Sequence, residues 1–358
     1  MSRRVRSVPM KVALPALDEA STQILMIDSS ASYLLMIISN AMRLDRRSFL
    51  AGVAATLARA AGRLPANQNI QWAVSAGLWV HFKPCPFTDI LDVMRDTGFI
   101  GIRLTGFPGI LKTYGLTAAQ MEKEVSKRGC RVVTISFNGP THDRSQHGQV
   151  VRDARAAMTF LKGFGANRLC VFPPARRAQG EDVETAFRAM CEGFNRVGEA
   201  AGEMGFLAGL HNHLNEMVEG PEEVHRAMAL TDPKLFHFFP DTAHLHLGGS
   251  NVVEMFEKYQ QRIHFMDYKD ARWTTPASDV AMDNGTVYPK DSASAKFHSS
   301  IYDLGDGEID FPACHRILKG ASYRGWICVD LDTARQGPRV SYQRSGAYVV
   351  SKLEPIYR

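Results

Sequence analysis

The sequence lacks several features by which classes of protein are recognised. Its six cysteines include no CxxC pair, none has the spacing of a zinc site, and most lie inside apolar runs such as Leu169-Cys170-Val171. We therefore expect small, buried cysteines. No GxGxxG motif follows the first apolar run of the body, which argues against a dinucleotide-binding fold. The apolar runs at 33–38 and 51–58 are too short to cross a membrane.

Excess charge is also missing from most of the chain. The formal net charge is +5, but residues 1–66 hold nine basic and four acidic residues, and the remaining residues hold 33 of each. The body of the chain is therefore neutral. Nothing in it suggests a nucleic-acid partner, since such a partner requires a clustered basic surface.

The basic N-terminal part contains a short pattern typical of export. The twin arginines of Asp45-Arg46-Arg47-Ser48-Phe49-Leu50 precede an apolar run and small residues that end near Ala66. This order resembles a twin-arginine signal, so we predict a signal peptide over 42–66 and a periplasmic or otherwise exported protein, with no stable membrane insertion after removal. An ordinary amphipathic helix is the alternative. Met42 would be a natural start, and residues 1–41 are predicted to be a disordered or over-extended N-terminus.

From about residue 70 the chain alternates short apolar runs with amphipathic stretches. Eight runs are candidate strands: 72–79, 100–104, 132–137, 168–172, 207–211, 236–240, 263–268 and 326–331. This alternation predicts a parallel barrel or a doubly wound sheet. The count of eight favours an α/β fold, a (β/α)8 TIM barrel, as a single domain over 67–358. Its active site would lie at the carboxyl ends of the strands.

Polar side chains follow the last four candidate strands. They are His211, His213, Glu216, Asp241, His244, Asp267, Lys269, Asp330 and Asp332. Residues two apart in a strand share a face, so these groups are expected to point into one mouth. Crowded imidazoles and carboxylates repel and desolvate one another unless a cation neutralises them. Mixed nitrogen and oxygen ligands suit a divalent Mn, Zn, Fe or Co ion. The alternative is a set of unrelated polar loops.

Three further polar residues are expected to be structural. His264 lies three residues before Asp267 and should face the helix layer, and His237 is similar. Asp310 follows a glycine-containing loop and is expected to cap the next helix. The segment 342–357 is expected to form a closing helix.

At these residues the sequence resembles the xylose isomerase-like sugar isomerase/epimerase superfamily, and within it the inosose dehydratase branch. The resemblance covers about 205–332 and is carried by motifs in a fixed order: His211-Asn212-His213 with Glu216, Pro221-Glu222-Glu223-Val224 to Thr231-Asp232-Pro233, Asp241-Thr242-Ala243-His244 with Gly248-Gly249, Arg262-Ile263 leading to Lys269-Asp270-Ala271-Arg272, Gly305-Asp306-Gly307-Glu308-Ile309-Asp310-Phe311, and Gly325-Trp326 leading to Asp330.

The resemblance implies one metal ligand from each of strands five to eight, commonly Glu, Asp, His and Glu. The corresponding residues here are His211, Asp241, Asp267 and Asp330. Of these, Asp241 matches the common pattern and the other three depart from it. Where strand two usually carries Glu, this chain has Arg103, which could bind an anionic or hydroxylated substrate.

The resemblance also implies a reaction. The metal would hold a carbonyl and an adjacent hydroxyl of a sugar or polyol while a base removes the proton between them, which gives an enediolate. Lys269 with a depressed pKa, His213 and Asp332 are the candidate bases, and His244 and Glu216 are candidate substrate contacts. An isomerase or epimerase is expected. A lyase that dehydrates a keto-sugar or inosose and a non-catalytic sugar-binding barrel are the alternatives. Members of the family often form homodimers.

Overall fold

The computed structural model describes residues 63–82, 85–176 and 182–358. Eight of its strands form one parallel sheet: β1 (Ile70–Ser75), β2 (Gly101–Leu104), β3 (Arg131–Phe137), β4 (Arg168–Val171), β5 (Leu207–Leu210), β6 (Phe236–Phe238), β7 (Met266–Tyr268) and β8 (Gly325–Val329). The strands are short and almost wholly buried, as expected where helices cover one face of a parallel sheet and side chains fill the other.

Helices connect the strands: α1 (Phe87–Thr97), α2 (Gly109–Tyr114), α3 (Ala118–Lys127), α4 (His147–Lys162), α5 (Val183–Glu203), α6 (Pro221–Leu230), α7 (Thr242–Leu247), α8 (Val252–Tyr259), α9 (Ala293–Ser300), α10 (Phe311–Gly320) and α11 (Pro338–Tyr348). Local sequence sets their ends. Thr117 and Gln120 form a capping box at the start of α3, and Gly98 takes the left-handed conformation after α1. Asp310 caps α10 through the N–H of Ala313, as expected.

The sheet is nearly closed into a barrel. Neighbouring strands follow the order β6-β5-β4-β3-β2-β1-β8-β7, and all are parallel. Two isolated bridges, Phe238 with Ile263 and Asp241 with Asp267, span the gap between the ends of this order. The second bridge brings two carboxylate-bearing strand ends together. The predicted α/β barrel of eight parallel strands is confirmed.

The first strand differs from the prediction. It was expected at 72–79, but it runs from Ile70 to Ser75, and Ala76–His81 forms a 3-10 helix. The hydroxyl of Ser75 accepts a hydrogen bond from the N–H of Gly77 at 3.1 Å, which turns the chain out of the sheet. Ser75 therefore stands at the carboxyl end of β1, beside the barrel mouth.

Most of the predicted leader, together with all of 1–41, lies outside the described residues. Of the range 42–66 the structure describes 63–66, where Pro65 is buried and Arg63 forms an ion pair with Glu354 at 2.7 Å. The boundaries at 41 and 66 stay predictions.

In the part of the chain that the structure describes, no helix is long and apolar enough to span a bilayer. The six cysteines are unpaired, and all except half-buried Cys85 are buried, as expected.

Candidate active site

Five strand ends place charged or ionisable side chains inside the barrel mouth. Arg103 lies in β2, His211 follows β5, Asp241 follows β6, Asp267 lies in β7 and Asp330 follows β8. Each side chain is at most 4% exposed. Ionic groups so deeply buried must be paired, because unpaired burial of a charge is costly. The pairing therefore decides what this site can do.

His211 lies between two carboxylates. Its Nε2 is 3.8 Å from Oδ2 of Asp241, and its Nδ1 is 3.3 Å from Oδ2 of Asp267. Burial holds the pKa of His211 well below its ordinary value, and the charge of Arg103 lowers it further. The imidazole is therefore neutral at physiological pH.

Three carboxylates surround the ammonium group of Lys269. Its Nζ lies 2.9 Å from Asp241, 2.8 Å from Asp330 and 2.7 Å from Asp332, in each case from Oδ2. Nζ also lies 3.3 Å from Nε2 of His244, so four groups surround its three N–H donors. Burial alone would lower the pKa of Lys269, but the carboxylates raise it well above its ordinary value. The expectation of a depressed pKa is wrong, because the carboxylates hold the proton on Lys269.

The guanidinium of Arg103 pairs with the carboxylates on the other side of the mouth. Its Nη2 lies 2.7 Å from Oδ2 of Asp330, and its Nε lies 3.3 Å from Oδ2 of Asp267. Hydrogen bonds to the hydroxyls of Ser75 at 3.0 Å and Ser136 at 2.8 Å fix its orientation. Burial disfavours the charged form, but the two carboxylates raise the pKa of Arg103 well above its ordinary value.

The carboxylates differ in charge state. Burial raises the pKa of Asp267 to about 8 and that of Asp241 to about 6. Burial acts on Asp330 in the same direction, but its two cationic partners outweigh it and lower its pKa. Asp330, which contacts both Lys269 and Arg103, is therefore the firmly ionised member, whereas Asp267 can keep a proton at neutral pH.

A cavity of about 330 Å³ opens onto these residues. Arg103, His211, Lys269 and Asp330 contribute to its wall. Further lining residues come from β1, from β3 and its following loop, and from the end of β4: Ser75, Ser136, Asn138 and Phe172. The wall thus combines fixed positive charge with hydroxyl, amide and aromatic groups, which suits a small hydroxylated ligand.

His213 and Asp332 also line the cavity and are the more exposed of its ionisable groups, with 34% and 24% of their side chains accessible. Nδ1 of His213 donates to the carbonyl of Leu214 at 2.9 Å, which leaves the lone pair on Nε2. Burial lowers the pKa of His213, and the charge of Lys269 lowers it further. His213 is therefore a neutral imidazole with one available lone pair.

The two other predicted substrate contacts lie one layer behind the cavity. Nε2 of His244 is 3.3 Å from Nζ of Lys269, and Oε1 of Glu216 is 3.7 Å from Nδ1 of His213. Neither is among the described residues that line the cavity. They are placed to position Lys269 and His213 rather than to touch a ligand.

The histidines expected to be structural lie apart from this group. The rings of His237 and His264 contact each other, with centroids 4.5 Å apart, and neither lines the cavity in the described residues. The main chain of His264 accepts a hydrogen bond from Arg168 at 2.9 Å. The structural interpretation agrees with these contacts.

Glu216 leads to a prediction about stability. Burial raises its pKa to about 8, whereas an unfolded Glu titrates near 4.3. Between these values the folded chain keeps a proton that the unfolded chain releases, so stability falls as pH rises through this window. We expect Glu216→Gln to increase the free energy of unfolding at pH 8 by on the order of 1 kcal/mol, with little change at pH 4. Urea titrations at both pH values measure this.

A nearby, partly exposed glutamate provides the control. Glu219 accepts the N–H of Asn215 at 3.0 Å and pairs with Arg176 at 3.1 Å, so Glu219→Gln should give no gain at pH 8. An equal gain from both variants, or none from Glu216→Gln, would contradict a protonated Glu216.

Comparison with known proteins places this fold and site in a family. Residues 91–349 match the family described as xylose isomerase-like TIM barrel, which is well over half of the chain. The chain belongs to the xylose isomerase-like TIM-barrel family. The resemblance drawn from the strand-end motifs is thus confirmed.

Two of the proteins similar to this chain in sequence are inosose dehydratases. The protein from Bacillus licheniformis is 29% identical over 277 residues, which are 74% of this chain and 85% of that protein. The protein from Bacillus velezensis is 29% identical over 204 residues, 54% of this chain and 65% of that protein, so this second alignment spans less than two thirds of the relative. The homologues are enzymes of the sugar isomerase, epimerase and inosose dehydratase kind.

Solved structures share the fold. The IolI protein, in a crystal structure with a bound zinc atom, has a TM-score of 0.62 at 14% identity and covers 80% of this chain and 99% of its own. The 3-keto-D-glucoside 4-epimerase YcjR from E. coli has a TM-score of 0.58 at 14% identity, with 79% and 99% covered. At these identities the likeness concerns the barrel alone.

By distance, part of the site fits the metal that the family implies. His211, Asp241 and Asp267 are buried, and each offers a ligand atom within 4.8 Å of the others. Nδ1 of His211 and both carboxylate oxygens of Asp267 lack a hydrogen-bond partner among the described residues. Asp330, the fourth predicted ligand, is not part of this group and instead contacts Lys269 and Arg103.

By charge, the ammonium of Lys269 opposes a divalent ion on these ligands. Ligand bonds of a divalent metal are about 2.1 Å long. An ion on Oδ2 of Asp241 would therefore lie within about 5 Å of the Lys269 ammonium, because that oxygen is 2.9 Å from Nζ. At this separation a double and a single positive charge repel by about 7 kcal/mol at an effective dielectric constant of about 20. An ion and the Lys269 ammonium therefore disfavour each other at Asp241.

Apart from Arg103, the sequence interpretation missed the residues that the first four strands contribute. Ser75, Ser136, Asn138 and Phe172 line the cavity at or next to the carboxyl ends of β1, β3 and β4. The rule that places barrel active sites at these ends applies to every strand, so it could have identified them. The pairing of Arg103 with aspartates from β7 and β8 had no sequence signal, because these residues are far apart in the chain.

Proposed function

We propose that the protein is an isomerase or epimerase that moves a proton next to the carbonyl of a keto-sugar or polyol-derived ketone, through an enediolate. The observation that carries this proposal is the cavity itself, in which the neutral imidazole of His213 shares one wall with the positive charges of Lys269 and Arg103. A base beside a fixed positive charge is what deprotonation next to a carbonyl requires.

The proposed first step is a proton transfer to His213. Nε2 takes the proton from the carbon between the carbonyl and the hydroxyl group. The C–H electron pair forms the double bond of the enediolate, and the carbonyl pair moves onto oxygen as negative charge. Return of the proton to the former carbonyl carbon, with transfer of the hydroxyl proton to the oxyanion, isomerises the substrate. Return of a proton to the opposite face of the original carbon restores the carbonyl and epimerises the substrate. Asp332 is the second acid–base candidate because it is the other exposed ionisable group of the cavity.

A lyase is the second candidate function. The inosose dehydratases named above are relatives over most of the barrel, and dehydration shares the first proton transfer. If the substrate carries a hydroxyl one carbon further on, the enediolate expels it, and a proton from His213 or Asp332 converts it into water. A non-catalytic sugar-binding barrel is the third candidate, favoured by the departures from the usual strand-end pattern at His211, Asp267 and Asp330.

A metal-dependent reaction is an alternative version of this proposal. If Mn, Zn, Fe or Co were bound, His211, Asp241 and Asp267 would hold it, and it would supply Lewis-acid stabilisation of the substrate oxygens. The zinc atom bound in the crystal structure of the IolI protein supports this alternative, and the positive charge of Lys269 opposes it.

Export through the twin-arginine route to the periplasm, with removal of 42–66 and a barrel domain over 67–358, is a proposal from the sequence alone. The Arg46-Arg47 motif and the apolar run after it support it. Assembly as a homodimer is likewise a proposal. It is supported by the family resemblance, because members of that family often form homodimers.

Hydrogen exchange from the substrate into heavy water tests the function. The protein is incubated in deuterated buffer with an inosose and, separately, with a 3-keto-glucoside, and proton NMR follows the hydrogen next to the carbonyl. We expect its signal to decay with all hydroxyl groups retained. Decay with loss of water identifies the lyase, and binding without decay identifies the sugar-binding barrel. If neither ligand exchanges or binds, the proposal fails for this substrate class.

A further inference from the structure

We infer that Lys269 and Arg103 take the place of a resident divalent cation in this protein. The site then binds no divalent metal tightly, and these two side chains stabilise the oxyanion of the substrate. The statement about the oxyanion rests on the proposed function, whereas the statement about metal binding is independent of it.

The surroundings of Lys269 are those of a bound cation. Oxygens from Asp241 after β6 and from Asp330 and Asp332 after β8 lie 2.7–2.9 Å from Nζ. These are strand ends at which a metal would find its carboxylate ligands. The same Oδ2 atom of Asp241 that faces His211 at 3.8 Å contacts the ammonium at 2.9 Å. An ion and Lys269 would therefore compete for one oxygen.

Arg103 changes the charge of the site in the same direction. The family resemblance implies a glutamate on strand two, so an arginine there removes one negative charge and adds one positive charge. Its Nη2 contacts Asp330 at 2.7 Å, and its Nε contacts Asp267 at 3.3 Å. Together Lys269 and Arg103 carry the charge of one divalent ion. They offset part of the negative charge of the four aspartates around them.

Both cations are fixed before a ligand arrives, and both reach the cavity. Ser75 and Ser136 hold the guanidinium of Arg103, and three carboxylates hold Lys269. Asp332 is the least buried partner of Lys269, with 24% of its side chain exposed, compared with 2% or less for the other two carboxylates. A substrate oxyanion can displace Asp332 and accept the freed N–H. Asp241 and Asp330 keep Nζ in place during this exchange of acceptors.

Zinc titration tests the metal-binding statement without reference to activity. The protein, purified and dialysed against chelator, is titrated with ZnCl2 in a calorimeter as wild type, as Lys269→Met and as Lys319→Met. Lys319 is exposed near the end of α10 and serves as the matched control. We expect weak binding by the wild type and control, and binding at least about 100-fold tighter by Lys269→Met, because removal of the ammonium frees its carboxylates. Tight stoichiometric binding by the wild type, or no gain in Lys269→Met, would overturn the inference.

The inference can still be tested if Lys269→Met fails to fold. Lys269→Met removes the ammonium that three carboxylates share, and of these Asp330 keeps its ion pair with Arg103. The circular dichroism and melting curve of the variant are therefore measured with and without ZnCl2. If it does not fold in either condition, Arg103→Met carries the same expectation of tighter zinc binding. Failure of that variant to gain affinity, or to fold with zinc present, counts against the inference, as does tight zinc binding by the wild type.

Exchange in the presence of chelator tests the statement about the oxyanion. Deuterium exchange into the inosose is expected to persist after dialysis against EDTA and to be unchanged by added Zn²⁺ or Mn²⁺. Loss of exchange that added metal restores would overturn the inference while leaving the proposed function intact. Absence of exchange in every condition would refute the proposed function, and the zinc titration would still decide the metal-binding statement.

Discussion

We expect the His213→Gln variant to exchange the substrate proton about 10²–10⁴-fold more slowly than the unaltered protein, which is the usual contribution of a positioned general base. The reason is the state of the imidazole. Its Nδ1 hydrogen is committed to the carbonyl of Leu214, so Nε2 holds the lone pair that can take a proton. Glutamine has similar reach, but its amide is not a base at neutral pH. Deuterium exchange measured by NMR gives the rate of both proteins.

The pH profile separates a base from a residue that only supports the cavity. Burial and the neighbouring Lys269 lower the pKa of His213, so exchange by the unaltered protein should stay constant down to a pH below 6.5 and fall only under it. The acid limb should disappear in the slow residual exchange of His213→Gln.

His246 is the matched control for this variant. It is partly exposed, forms an ion pair with Glu308 at 3.4 Å and does not line the cavity in the described structure. His246→Gln should keep the rate of the unaltered protein. Equal losses in the two variants, or an acid limb that survives in His213→Gln, would argue against the proposed role of His213.

The barrel could be predicted from the sequence because its signal is local and repeated. Each parallel strand is buried on both faces and reads as an apolar run, and each is followed by an amphipathic helix. The same periodicity placed His211, Asp241, Asp267 and Asp330 at one mouth, and the structure brings them together. The end of β1 could not be predicted in this way, because residues 76–79 are as apolar as a strand and a single serine hydroxyl ends the sheet there.

The source of the positive charge that offsets the buried carboxylates was harder to predict from the sequence. The argument from crowded carboxylates correctly required a cation, and a metal was the simplest source. The structure also places two side-chain cations there, those of Lys269 and Arg103. Lys269 was noted as a base, but its pKa depends on three carboxylates from β6 and β8, and no local pattern reveals that all three point at one nitrogen. Distant pairings of this kind are set by the closed barrel.

The second large effect is expected at Asp270, which follows Lys269 but points away from the cavity into the loop before α10. Its carboxylate accepts backbone N–H groups from Gly305 at 2.8 Å, Gly307 at 2.9 Å, Ile309 at 3.3 Å and Ala271 at 2.9 Å. A Cβ on Gly307 would lie 2.2 Å from Oδ1, so only glycine allows this approach. The glycine-containing motif of the loop is therefore explained by a buried carboxylate.

We expect Asp270→Ala to lower the free energy of unfolding by at least about 3 kcal/mol, because several buried donors lose a charged acceptor at once. Asp310→Ala is the matched control in the same loop. Its side chain accepts one N–H, from Ala313 at 2.9 Å at an exposed helix start, so its loss should cost only about 1 kcal/mol. Urea unfolding of both variants measures the difference. Losses of similar size would mean that the loop is held by its own turns and that Asp270 is not its anchor. A large loss at Asp270 alone would show that the strand end carrying Lys269 also holds the loop before α10, so that the catalytic mouth and this loop form one structural unit.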